Sequence, residues 1–168
     1  PTEHFSCLKT NKPKFALQLE LPCKSITLYP GDETKLFTLN FSDIETKLAL
    51  HRFAWLTEPR EEVPTEWVAS IWQAWIRKYS TVDNSWVWHP YTAAERAVNI
   101  LTFINRYGVP GSKDKTLSIL TAHAYAIAKK LEYFGDHHTS NHLANNGRGL
   151  YLIGLILGLK QTTDLGAR

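Results

Sequence analysis

Two hydrophobic periods divide this chain. Up to about residue 42 the apolar positions alternate with polar ones, and from residue 43 onward they recur every three or four residues. In "KFALQLELP", residues 14–22, Phe15, Leu17, Leu19 and Leu21 fall on one side, with Lys14, Gln18 and Glu20 on the other, which predicts a half-buried strand. "SITLYPGDETKLFTLNF" predicts two more short strands. Pro30, Gly31 and Asp32 supply turn chemistry between them, and Phe37, Leu39 and Phe41 resume the alternation.

The helical period then predicts five helices. "SDIETKLALHRFAWL" offers Ser42 or Asp43 as a cap, with Ile44, Leu48, Phe53 and Trp55 among polar neighbours. "TEWVASIWQAWIRKY" carries Trp67, Ile71 and Trp75 in one stripe and Val68, Trp72 and Ile76 in the next, giving a wide apolar face. "TAAERAVNILTFINRYG" has a Thr92/Glu95 capping box and Gly108 as its exit. The following helix is expected to run from a Ser112 cap through Leu117, Leu120, Ala124, Ile127 and Leu131 to a stop at Gly135, forming an antiparallel hairpin with its predecessor. The last one is expected to start at Thr139 or Ser140 and reach about Lys160. It is polar for two turns and then apolar nearly all round, the profile of a helix surrounded by others. Gly147, Gly149, Gly154 and Gly158 would each cost roughly 1 kcal/mol in an exposed helix, so they imply close approach of a neighbouring helix or a ligand. "QTTDLGAR" reads as the beginning of one further helix.

At 168 residues the chain suits one domain: a mainly α fold over residues 43–168, with a small β-strand lead-in over residues 1–42 packed on the helices. Its 43% hydrophobic and 21% charged content excludes a disordered chain. The net charge of +3 comes from interspersed charges with no basic run, which disfavours nucleic acid but suits an acidic polymer. Leu150 to Leu159, the longest apolar stretch, is about half a membrane span, so none is expected. No charged and then apolar leader opens the sequence, so a secretion signal is either removed or was never there. Cys7 and Cys23 match no metal spacing and leave the redox compartment open between one bridge and two thiols. Of six Trp, five lie between Trp67 and Trp88, where they fill a core between helices or present a carbohydrate-stacking surface.

Candidate chemistry gathers in "GDHHTSNHLANNGRG", residues 135–149. On a helix beginning near Ser140, Asn141, Asn145 and Arg148 share one stripe, and His142, Asn146 and Gly149 share the adjoining one. A helix N-terminus carrying neutral amides, an imidazole and a guanidinium suits a carboxylate. The same residues also suit two different roles. As caps and loop partners they would satisfy one another. His138 and His142, spaced i, i+4 near Asp136, sketch a metal site, although no Glu lies inside the spacing and no Cys is near. His4, His51, His123 and His137 have no partner identifiable from spacing.

"SNHLANNGRGLYLIGLILGL" resembles the Asn-His helix of the heparinase II/III-like polysaccharide lyases, a superfamily that includes alginate and heparan lyases. "WVWHPYTAAERAVNIL" is similar to that family's Trp-x-Pro-Tyr segment followed by an Arg on the next helix, and "LALHRFAWL" to its Leu-His-Tyr-Phe segment. The three matches occur in the family's order and cover about residues 48 to 160. The resemblance implies an (α/α) toroid of helical hairpins that binds an acidic polysaccharide and cleaves it by β-elimination at a uronic acid. Carried over, Asn141 is expected to hydrogen-bond the substrate carboxylate, and His142 to assist its neutralisation or act as base. Helical geometry places Asn145 and Arg148 in the same groove. Trp88, His89 and Tyr91 are expected to form a sugar-binding wall, with Tyr91 and Arg96 as an alternative structural pair.

The family also places a catalytic Tyr several tens of residues after the Asn-His pair and a further His in a C-terminal β domain, whereas 26 residues follow His142 here. The expectation is therefore a partial toroid, the N-terminal part of a lyase or a degenerate relative of one, with little activity by itself. It would need no metal or other cofactor and would work in the periplasm or outside the cell. A noncatalytic carbohydrate-binding or structural helical module is the main alternative, and a metal-dependent hydrolase using His138 and His142 a further one.

Overall fold

A computed structural model describes residues 5–9, 11–57, 62–133 and 141–168. The fold is mainly helical with a small two-stranded antiparallel sheet near its N-terminus. Strands β1 (Leu17–Leu21) and β2 (Lys24–Leu28) form a hairpin in which Leu21 pairs with Lys24 and Leu17 with Leu28. Leu17, Leu19 and Leu21 face inward as their alternation predicts, joined by Ile26 and Leu28 from β2. Phe15 lies before the strand and is 81% exposed, contrary to its expected place in the inward row. The chain turns at Pro22 and Cys23, between the first two strands the sequence suggests.

Beyond Gly31 the expected strand is replaced by the short helix α1 (Glu33–Leu36). Phe37 is buried and Leu39 and Phe41 are half-buried, so the alternation marks real inward positions. It forms no ladder because the segment follows the helix surface without a strand beside it. Cys7 and Cys23 are both free and exposed.

The helices that follow are α2 (Ile44–Arg52), α3 (Thr65–Tyr79), α4 (Pro90–Tyr107), α5 (Lys113–Lys129), α6 (Asn141–Leu157) and α7 (Lys160–Gly166). Asp43 caps α2 by accepting from the Thr46 N–H at 2.7 Å. Helix α2 ends at Phe53, whose left-handed φ of 57° is rare for a bulky residue. That reversal drives the Phe53 side chain into full burial and leads into the 3-10 turn Ala54–Leu56. Helix α3 buries both predicted stripes, including Trp67, Trp72 and Trp75. Ser112 caps α5 as expected.

Helices α4 and α6 lie side by side and parallel, as do α3 and α5, in two layers. In one layer, Asn145 of α6 reaches Tyr91 of α4, and Gly149 reaches Ala94. In the other, Trp72 of α3 donates to Thr116 of α5 at 3.0 Å, and Trp75 packs near His123. Between the layers, α4 and α5 form the predicted antiparallel hairpin, with Arg96 early in α4 meeting His123 late in α5. Helix α2 joins the α4 layer, its Arg52 carbonyl accepting from Asn99. Alternation of this kind is what a partial (α/α) toroid requires. One apolar core spans the hairpin and both layers.

Three of the four late glycines mark close approaches. A Cβ at Gly149 would lie 2.8 Å from the Ala94 Cβ, and one at Gly154 would run into the Thr163 backbone. Gly147 faces the carbonyl of Gly166, so α7 folds back along α6, whereas Gly158, at φ +70°, supplies the turn between them. Helix α6 is not enclosed all round, however. Leu150 and Ile153 are fully buried, but Tyr151 and Leu155 are exposed, because α4, α5 and α7 leave one strip uncovered. No helix among the described residues is long and apolar enough to cross a membrane.

The packing of Gly149 on Ala94 makes Gly149→Ala destabilising by about 1–2 kcal/mol, since overpacking between two backbones outweighs the higher helix propensity of alanine. The urea midpoint should fall. A midpoint that rises would show that α4 and α6 are not closely apposed at this point.

Candidate functional site

Three segments converge at one end of the α2, α4 and α6 layer. They are the C-terminal turn of α2, the 3-10 turn Trp86–Trp88 leading into α4, and the first two turns of α6. Pro90 opens α4 and His89 precedes it in extended conformation. The helix thus begins ahead of the predicted Thr92/Glu95 box. Thr92 is buried against the core, and Glu95 pairs instead with Arg148 at 3.7 Å.

Beneath the convergence lies Arg96, which is fully buried and has no carboxylate bonded to it among the described residues. Its Nε donates to His123 Nε2 at 2.7 Å, and one terminal nitrogen donates to the carbonyls of His51 and Val87, both at 3.0 Å. The guanidinium lies 4.1 Å from the centre of the Trp75 ring and 5.2 Å from that of Trp88, so aromatic faces supply the negative potential that a carboxylate would. Since His123 Nε2 accepts, its proton sits on Nδ1 and is donated to the Ile119 carbonyl at 2.6 Å, which fixes a neutral ring. Burial, reinforced by Arg96, pushes the His123 pKa well below its ordinary value. His51 is also held neutral: its Nδ1 accepts from Trp75 Nε1 at 3.3 Å, and burial, then Arg96, Lys47 and Lys78, lower its pKa from 6.5 to about 3. Two of the four histidines left without a role by spacing, His51 and His123, are the structural partners of this buried cation.

Arg96 turns inward, and Tyr91 pairs with a different arginine. The Arg52 guanidinium lies over the Tyr91 ring at 4.9 Å and pairs with the Glu45 carboxylate at 3.3 Å, with 20% of its side chain exposed. On the other side of Tyr91 stands His142, with ring centres 4.5 Å apart. His142 Nδ1 is 2.8 Å from Glu132 Oε1, which also lies 3.7 Å from His89 Nε2. The second oxygen of Glu132 accepts from Asn146 Nδ2 at 3.1 Å. Only 11% of the Glu132 side chain is exposed, so this carboxylate ties α4 and α6 together from below. Burial lowers the His89 pKa while Glu132 opposes the shift. A carboxylate acceptor fixes Nδ1 of His142 as the donor.

The expected residues separate by depth. Asn141 is exposed at the first position of α6, and His142, His89 and Tyr91 are partly exposed beside it. Asn145 is buried and donates to the Tyr91 carbonyl at 3.2 Å, so it fixes that segment and does not line a groove. The amide oxygens of Asn145 and Asn146 are both buried without a partner among the described residues, which makes the layer beneath the histidines rich in acceptors. Arg148 is exposed but committed to Glu95. Trp88 is a correction to the proposed sugar wall: it is 1% exposed, packed among Trp75, His123 and Arg96, and offers no face to a sugar.

Glu132 and Arg52 escaped the sequence reading, whereas Asn146, on the stripe of His142, and Trp86, among the clustered tryptophans, were noticed without a role of their own in the site. Glu132 was assigned to a helix running on to Gly135, whereas α5 ends at Lys129 and frees it to turn into the site. The position of Glu132 just ahead of a His-rich stretch was the available signal. The metal alternative rests on Asp136 and His138, which lie outside the described residues, as do His4 and His137. Among the described residues no group of three or more His, Cys, Asp or Glu side chains is arranged to hold a metal. Compared with known proteins, the chain matches no family model, no curated protein and no solved structure.

His51 makes the fold sensitive to acid. Unfolded, it takes up a proton near pH 6.5, and folded only near pH 3. Its neutral, buried state therefore contributes stability above about pH 6.5 that is lost as pH falls towards 3, at about 1.4 kcal/mol per pH unit. His123 acts in the same direction. His51→Asn, whose Oδ1 can accept from Trp75, should give a shallower decline in urea midpoint between pH 6.5 and 4. An unchanged slope would show that His51 is not the titrating group.

Proposed function

We propose that this chain is part of a polysaccharide lyase acting on uronic-acid-containing polysaccharide, and that it carries the carboxylate-neutralising half of the site. The observation that supports this most directly is the juxtaposition at the start of α6. Exposed Asn141 stands next to His142, whose imidazole is oriented by the carboxylate of Glu132. An amide donor at a helix N-terminus is suited to a sugar carboxylate, and an imidazole aligned by a carboxylate is suited to proton abstraction.

In the elimination, Asn141 and the N-terminal end of α6 hold the uronate carboxylate, so that charge developing at C5 spreads into a group already engaged by donors. His142 Nε2 takes the C5 proton. The electron pair of that C–H bond forms the C4–C5 double bond, the bond from C4 to the glycosidic oxygen breaks, and that oxygen leaves with a proton from a second group. Cleavage of such polymers belongs in the periplasm or outside the cell.

A noncatalytic carbohydrate-binding module is the second reading. It is favoured by the exposed Trp86 ring stacked beside His89, which suits the C–H face of a sugar.

Calorimetry with uronate tetrasaccharides tests the proposal. Asn141→Ala and His142→Ala should each weaken binding about tenfold, corresponding to ~1.4 kcal/mol, while the melting temperature stays close to that of the parent. Absence of uronate binding by the unmodified chain, or variants that bind as well as the parent, would overturn it. If Asn141 were merely a cap, the alanine variant would lose about 1 kcal/mol of stability and no affinity. Equal affinity for neutral and acidic oligosaccharides would favour the binding-module reading.

A further inference from the structure

We infer that the chain holds a second binding site, for a small carboxylic acid with a compact apolar body, in the cavity between the segment after α1 and the C-terminal ends of α2 and α3. The cavity measures about 310 Å3, at the small end of the range for ligand pockets. Phe37, Leu39, Leu50 and Val87 give it apolar walls, and Lys47 and His51 of α2 line it as well. It shares no residue with the His142 cluster, and it stands or falls without the uronate reading.

His51 supplies the demand for a guest. It is 3% exposed and its Nδ1 accepts from Trp75 Nε1, so the single proton of its neutral ring sits on Nε2. That N–H has no acceptor among the described residues, yet Nε2 is not one of the fully enclosed unpaired atoms. It diverges from Nδ1, away from Trp75, and meets accessible space in the cavity that His51 lines. A nearly buried donor of this kind is costly until something accepts from it.

The surrounding charge selects an anion as that acceptor. Lys47 precedes His51 by one helical turn, so the two side chains share a face of α2. Lys47 is exposed and carries no ion pair among the described residues. Lys78 brings a second positive charge to the wall, where its Nζ donates to the Phe37 carbonyl at 2.7 Å. The one acid lining the cavity, Asp83, is turned to Ser85, accepting from its N–H at 2.9 Å and its hydroxyl at 2.6 Å. A carboxylate can therefore accept from His51 and face Lys47. The rings of Phe37 and Tyr79, edge to face at 6.0 Å, offer the apolar body an aromatic wall.

Titration of the full chain with phenylacetate and with phenylacetamide, its neutral counterpart, tests the assignment. Phenylacetate should bind with a Kd of about 0.1–1 mM, and phenylacetamide roughly fivefold more weakly. In nitrogen NMR of the histidines, phenylacetate should move the Nε2 signal of His51, assigned through His51→Asn, and leave the signals of His123 in place. Lys47→Met should weaken phenylacetate about fivefold and leave phenylacetamide unchanged. Because Lys47 is exposed, this variant should keep the parental melting temperature. Absence of phenylacetate binding, or binding that leaves the His51 signal in place, overturns the site. Equal affinity for the two compounds, or a Lys47→Met protein that binds phenylacetate as tightly as the parent, overturns its choice of an anion. Displacement of phenylacetate by a uronate tetrasaccharide would assign the cavity to the sugar site and overturn a separate one.

Discussion

A buried guanidinium without a carboxylate partner sets the terms for the rest of this molecule. Arg96 is fully enclosed, and desolvating a cation is among the largest costs a core can carry. The compensation is spread over every element around it: a carbonyl at the end of α2, a carbonyl in the turn before α4, a neutral imidazole from α5 and a Trp face from α3. None of these partners could be withdrawn cheaply, so their relative positions are fixed together. The elements so fixed include those that carry Arg52, His89 and Tyr91, and the outer site therefore inherits its geometry from a cation that never meets solvent. The same arrangement explains why His51 and His123 must stay neutral, since a second positive charge beside Arg96 would have no counterpart.

Above that cation the polar groups are ordered by depth. Glu132 and the amides of Asn145 and Asn146 form a nearly buried layer, in which Glu132 accepts from His142 and Asn146 and lies near His89, and Asn145 donates to the Tyr91 carbonyl. Outside it stand Asn141 and the two histidines, with Arg52 set back beneath Tyr91 and paired with Glu45. An acidic ligand arriving from solvent meets amide and imidazole first, while Glu132 is screened by the imidazoles it orients. A carboxylate in the site is thus compatible with recognition of another carboxylate.

Much of the architecture was legible because it depends on periodicity. The change of period near residue 43, the bounds of α3, the Ser112 cap and the hairpin of α4 and α5 all follow from local side-chain order. The glycines of α6 were legible for a physical reason as well, since a helix tolerates that many only where something needs the space. What failed was decided by tertiary partners. The alternation through Phe37, Leu39 and Phe41 looks the same whether or not a strand lies alongside. Helix α4 starts early because Pro90 sets its first turn, which preempts the capping box. Trp86 and Trp88 cannot be told apart in sequence, because a 3-10 turn separates them by a rotation that no helical or strand period anticipates. The partners of Arg96 come from four elements far apart in the chain, beyond any spacing rule, and Glu132 was hidden by a helix that ends sooner than its composition suggests.

The reversal at Phe53 shows how strain and site geometry are connected here. A left-handed conformation at a bulky residue costs of order 1–3 kcal/mol, and full burial of the ring offsets it. Had α2 continued straight, the Arg52 carbonyl would be engaged within the helix and unable to accept from Asn99, and the aromatic ring of residue 53 would point along a different direction. By ending the helix there, the chain frees that carbonyl for α4 and leaves the guanidinium over Tyr91. The burial that makes the reversal tolerable is the same burial that encloses Trp72 and Trp55 around Phe53. Core packing and the placement of the Arg52 guanidinium are therefore two consequences of one backbone conformation, and neither can change without the other.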